Sequence, residues 1–104
     1  MAKATIDSGI CGMTTTVVAT PAGRSVKIEF ETDCGYVKAL AEELSEVDPF
    51  REISYRGQGP LTLSLAPKHL VHPACPVPSG IIKAVEVASG LALPKDAHIS
   101  PGKG

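Results

Sequence analysis

The spacing of apolar residues changes at Gly35, from the period of strands to that of a helix, and that change limits the folds open to this chain. Before it, residues 13 to 20 (Met-Thr-Thr-Thr-Val-Val-Ala-Thr) are rich in β-branched side chains, and residues 25 to 32 (Ser-Val-Lys-Ile-Glu-Phe-Glu-Thr) alternate apolar and polar. Both read as strands. Pro21-Ala22-Gly23-Arg24 between them is a turn of hairpin length, so Val26, Ile28 and Phe30 share a buried face while Lys27, Glu29 and Glu31 face water. Ala4-Thr5-Ile6 suits a short edge strand. After Gly35, Val37, Leu40, Ala41, Leu44 and Val47 recur at helical spacing, with Lys38, Glu42, Glu43 and Glu46 on the other side, which predicts an amphipathic helix of about three turns.

Asp48-Pro49 pairs a capping residue with proline at a first helical position, so residues 50 to 53 are expected to form one further turn. Gly57, Gly59 and Pro60 mark a loop, and Leu61-Thr62-Leu63-Ser64-Leu65 alternates like a strand. Beyond Pro76 and Pro78, Ser79 is placed to cap a last helix through Ile81, Ile82, Val85, Ala88 and Leu91, with Gly90 as the residue that ends it. Strands first and helices afterwards predict an α+β fold, an antiparallel sheet packed against helices, rather than alternating βαβ units.

At 104 residues the chain is expected to form one domain over residues 1 to 99, followed by a frayed tail, 100 to 104. It has no Trp and only four other aromatic residues, Phe30, Tyr36, Phe50 and Tyr55, so Val, Ile, Leu and Ala carry the core. Ten basic residues against eleven acidic ones give a net charge of -1, and without a basic stripe nucleic acid is not an expected partner. Met1-Ala2-Lys3-Ala4-Thr5-Ile6-Asp7 lacks a signal-peptide core, and no stretch approaches the ~18 apolar residues of a membrane span. A cytoplasmic location away from membranes is the expectation.

Chemistry in this sequence centres on Cys11, Cys34 and Cys75, each in turn-forming sequence just before a strand or helix. An odd count cannot pair fully within one chain, and in a reducing compartment separated thiols are buried, reactive or metal-bound more often than oxidised. The spacings of 23 and 41 residues match no zinc-finger pattern, so a site would be assembled from three distant segments. A helix start favours the thiolate that binds metal or attacks electrophiles, as at Cys34 and, less directly, Cys75. Glycines 9, 12 and 35 leave room for main-chain N–H groups to approach sulfur. A tetrahedral site needs a fourth ligand, for which Asp33, beside Cys34, and His72, three residues before Cys75, are the nearby choices.

Gly9-Ile10-Cys11-Gly12 before a hairpin, Asp33-Cys34-Gly35 between strand and helix, and a cysteine just before the last helix together resemble the U-type iron–sulfur cluster assembly scaffolds over roughly residues 9 to 90. The resemblance implies a SufE/NifU-like fold and a non-enzymatic scaffold or carrier. It further implies an iron–sulfur cluster or zinc bound by Cys11, Cys34 and Cys75 with Asp33 or His72, and a cysteine desulfurase or a cluster-accepting protein as partner. The chain departs from the family at Met13, where an Asp is usual, at Tyr36-Val37-Lys38, which replaces a serine-rich run, and at Ala74, where a His precedes the third cysteine. A fainter likeness, carried by Cys34 and Cys75-Pro76, is to the Cys-Pro domains that accompany some ribonucleotide reductases.

Plainer readings compete with a shared site. Each cysteine alone is equally a small buried hydrophobe, Asp33 an N-cap, and His72 an ordinary hydrogen-bonding histidine. Asp48 and Glu52 read as capping residues, and the run Glu42-Glu43-Ser45-Glu46 as a solvated helix face. No catalytic triad or phosphate loop is present; Gly57-Gln58-Gly59 is too short. Two alternatives stand beside metal binding: a metal-free sulfur-accepting thiol module centred on Cys34, and a metal-free interaction or homo-oligomerisation domain.

Overall fold

The computed structural model describes residues 1–103. Three strands come first, β1 (Ala2–Asp7), β2 (Thr14–Ala22) and β3 (Ser25–Thr32), paired antiparallel in chain order. The helices α1 (Gly35–Glu43), α2 (Pro49–Glu52), α3 (Leu61–His69) and α4 (Val77–Ala88) all follow, with a two-residue strand β4 (Glu46–Val47) between α1 and α2 that pairs with β3 at Val26 and Lys27. The result is a four-stranded antiparallel sheet in order β1-β2-β3-β4 with helices against it, the α+β architecture that the period change implies.

Register explains which residues are inside. Ala2, Ala19 and Ile28 stand in line across the sheet, as do Ala4, Val17 and Phe30, and as do Ile6, Thr15 and Thr32. These rows hold the buried and half-buried positions, whereas Lys3, Thr5, Lys27 and Glu29 point the other way and are exposed, as the two-residue pleat dictates. One sheet face carries the helices and the other faces solvent. The hairpin turn is two residues long, Gly23-Arg24, and Gly23 takes a φ of 66° that glycine supplies at the first turn position.

Helix α4 covers β1 and β2 with Val77, Ile81, Ala84 and Val85. It sits so close that a Cβ on Gly80 would collide with Cδ1 and Cγ1 of Ile6. Gly80→Ala is therefore expected to destabilise the fold by about 2 kcal/mol in urea titrations, overpacking outweighing the gain in helix propensity of about 1 kcal/mol. In an Ile6→Ala background, where the obstructing atoms are gone, the same substitution should become neutral or stabilising. If it destabilises equally in both backgrounds, the contact is not its cause.

Three sequence expectations change. The first helix ends at Glu43, so Val47, expected on it, is instead buried in β4. The last helix begins at Val77, before Ser79, and ends before Leu91, in a turn where Leu91 N donates to Glu86 O and Gly90 N to Val87 O. Residues 61 to 65 form not a strand but the first half of α3. The alternation of Leu61, Leu63 and Leu65 contains the helical pair Leu61 and Leu65, both packed against the core.

What starts α3 lies outside it. Its N-cap is Pro60, with no side-chain cap of its own. Glu52, 1% exposed, supplies the cap instead: its carboxylate accepts from Leu61 N at 2.7 Å, Thr62 N at 3.2 Å and Thr62 Oγ1 at 2.8 Å. Capping is thus the chemistry of both acidic residues, since Asp48 Oδ1 accepts from Phe50 N at 3.0 Å at the start of α2. At its other end α3 meets α1 through His69 Nε2 and Glu43 Oε2, 2.9 Å apart. That hydrogen bond, aided by the charges of His69 and Lys68 and opposed by desolvation, holds the Glu43 carboxyl below the ordinary carboxylate range.

Candidate thiol site at one end of the sheet

Cys34 is fixed to the sheet through its backbone. It occupies the N-cap of α1 with extended backbone (φ -76°, ψ 118°) and makes no side-chain cap hydrogen bond. Its N–H donates to Thr32 Oγ1 at 3.2 Å, and Thr32 Oγ1 in turn shares a 2.8 Å hydrogen bond with Thr15 Oγ1. Thr15 is fully buried, so this hydroxyl pair anchors the start of α1 to the ends of two strands. Cys34 itself is half-buried against the core.

Cys11 is held differently. It ends a single 3₁₀ turn, Gly9–Cys11, in the loop between β1 and β2. Ser8 N donates to Met13 O at 3.0 Å, Gly12 N to Gly9 O at 2.9 Å and Gly9 N to Asp7 Oδ1 at 2.9 Å. Gly9 and Gly12 both have positive φ, 77° and 73°, which side chains with a Cβ rarely adopt. Cys11 and Ile10 are exposed.

Cys75 stands two residues before α4 and is half-buried against the core. The earlier start of α4 couples it to that helix more closely than a start at Ser79 would. Its N–H donates to His72 O at 3.2 Å, closing a turn, and Pro76 then caps the helix.

The strand register brings these three loops to one end of the molecule. Cys11 follows Asp7, the last residue of β1; Cys34 follows Thr32, the last of β3; and Ile6, Thr15 and Thr32 form the last full row of the sheet at that end. Gly80, in the first turn of α4, packs on Ile6 of the same row, which sets Cys75 at that end too. Asp33 and His72 lie beside Cys34 and one turn before Cys75, both exposed. Asp33 is not the N-cap of α1, a position held by Cys34. The structure gathers the loops but not the side chains: among the described residues, no group of three or more His, Cys, Asp or Glu converges closely enough to hold a metal ion. His69 is engaged with Glu43.

Sequence reading missed Thr15 and Thr32, the pair that positions Cys34, because a threonine-rich run signals only strand propensity. Their one sequence clue is that each stands at the end of a strand adjoining a cysteine loop. Among the described residues no helix is long and apolar enough to cross a membrane.

The model of a protein family described as a family of unknown function (DUF6951) matches residues 2–101. No curated protein and no solved structure matches the chain.

Proposed function

The chain belongs to the DUF6951 family of unknown function, and we propose that it binds a thiophilic metal, as zinc or as an iron–sulfur cluster, through Cys11, Cys34 and Cys75. The observation that carries this reading is the arrival of three cysteine loops at one end of the sheet on three separate elements. Three soft donors suit zinc or iron–sulfur chemistry, and Asp33 or His72 would complete a set of four. Fit by donor chemistry is good; fit by position requires the loops to draw their side chains together, because no three of these groups are gathered among the described residues. Cys11 is the exposed one of the three, in the loop between β1 and β2. Cys34 and Cys75 are half-buried and each packs against the core.

This reading makes the protein a non-enzymatic carrier or scaffold in the cytoplasm. A cysteine desulfurase or a cluster-accepting protein as partner follows from the resemblance to the U-type scaffolds. The second reading is a metal-free thiol module. It is favoured by the half-exposed position of Cys34 at the N-terminus of a nine-residue helix, where a thiolate can attack the outer sulfur of a persulfide donor, taking that sulfur as the donor's own thiolate leaves.

Alkylation after anaerobic incubation with zinc, or with iron and sulfide, separates the two. Bound metal should protect all three cysteines together, each reacting at least about tenfold more slowly than in chelator-treated protein. One fast thiol, indifferent to metal, would reject the binding site in favour of the thiol module.

A further inference from the structure

The opposite end of the molecule carries a second feature that the thiol site leaves unused. A groove there runs between the β2–β3 turn, α2 and the end of α4, with Val26, Pro49 and Ala88 among its lining and Phe50, 70% exposed, on its rim. Arg24 and Asp48 also line it. The chain leaves α4 at this same place, since Ser89 lines the groove and Gly90 turns the backbone through a left-handed φ of 75°. The segment that follows has no helix or strand, yet it carries Leu91, Leu93 and Ile99, exposed at 41%, 87% and 85%. It is covered by the family match, which runs to residue 101.

We propose that this groove receives residues 91–99 of a second copy of the chain, in a reciprocal exchange of the segments that follow α4. Three observations select that occupant. The chain's own segment leaves Leu93 in solvent rather than in the groove. The charges match, Lys95 and Asp96 of the segment being complementary to Asp48 and Arg24 of the groove. Groove and segment root adjoin at Ser89, so two copies facing each other at this end satisfy both grooves at once, forming a closed two-fold pair rather than an open chain. Leu93 is the apolar anchor and Phe50 the side wall against which it packs.

Sedimentation of the full-length protein over a wide concentration range tests this. A dimer is expected for the native chain, with Leu93→Asp and Phe50→Ser each weakening it by about tenfold or more. Because the first variant keeps an intact groove and the second an intact segment, an equimolar mixture should dimerise more tightly than either alone. A native chain that stays monomeric at all concentrations would overturn the proposal, whether the groove is empty or filled by its own segment. So would a dimer indifferent to both substitutions, or a mixture no tighter than its components. Circular dichroism of each variant distinguishes loss of association from loss of fold.

Discussion

Replacing Glu52 by alanine is expected to destabilise the protein by about 3 kcal/mol, the largest effect predicted for any single polar side chain in it. The carboxylate is buried and accepts three hydrogen bonds, from Leu61 N, Thr62 N and Thr62 Oγ1. Alanine leaves these donors without partners at a helix start that has no cap of its own. A domain of this size should lose on the order of 15 °C in melting temperature. Glu52→Gln should fall between, because its amide nitrogen faces donors. Thr62→Val, which removes one donor along with its bond, should cost only about 1 kcal/mol. Thermal unfolding of the three variants checks the order. An alanine variant within about 0.5 kcal/mol of the native chain would mean that α3 forms without this cap.

The second large effect concerns the thiols. If Cys11, Cys34 and Cys75 act as one site, serine at any one of them should lower metal affinity by more than about a hundredfold, beyond the range usual for an outer partner of a ligand. The triple variant should retain little less metal than the worst single variant, because the ligands work as a unit. Thr32→Val should weaken binding by about tenfold, since it removes the hydroxyl that holds the Cys34 N–H while leaving every thiol in place. Metal content after anaerobic loading and desalting reports all of these. Equal content in native and triple-variant protein would place the metal elsewhere.

The parts of the fold legible in the sequence are those whose causes are local. Alternation over residues 25 to 32 and a glycine-containing turn produce β3 and its hairpin, and Asp48-Pro49 starts α2. Helix α3 was hidden because its cause is distant: the residue that caps it lies nine positions upstream, and Pro67 inside it is a helix breaker by any local rule. Likewise Val47 kept the helical spacing of the residues before it but pairs into the sheet opposite Val26, a long-range contact that spacing does not encode. For the candidate site, the sequence offered Cys11, Cys34 and Cys75 as candidate ligands, each in a turn just ahead of a strand or helix. Their arrival at one end depends on register, Ile6 to Thr15 to Thr32, and on the seat that Gly80 finds on Ile6. Neither is visible until the strands are paired and α4 is laid across them.

X-ray absorption at the zinc edge of the zinc-loaded native protein is the most direct test of a single three-cysteine site. Three sulfur scatterers at about 2.3 Å with one lighter nitrogen or oxygen ligand are expected, falling to two sulfurs in Cys11→Ser. A shell containing one sulfur or none, or a spectrum unchanged by the loss of Cys11, would contradict it.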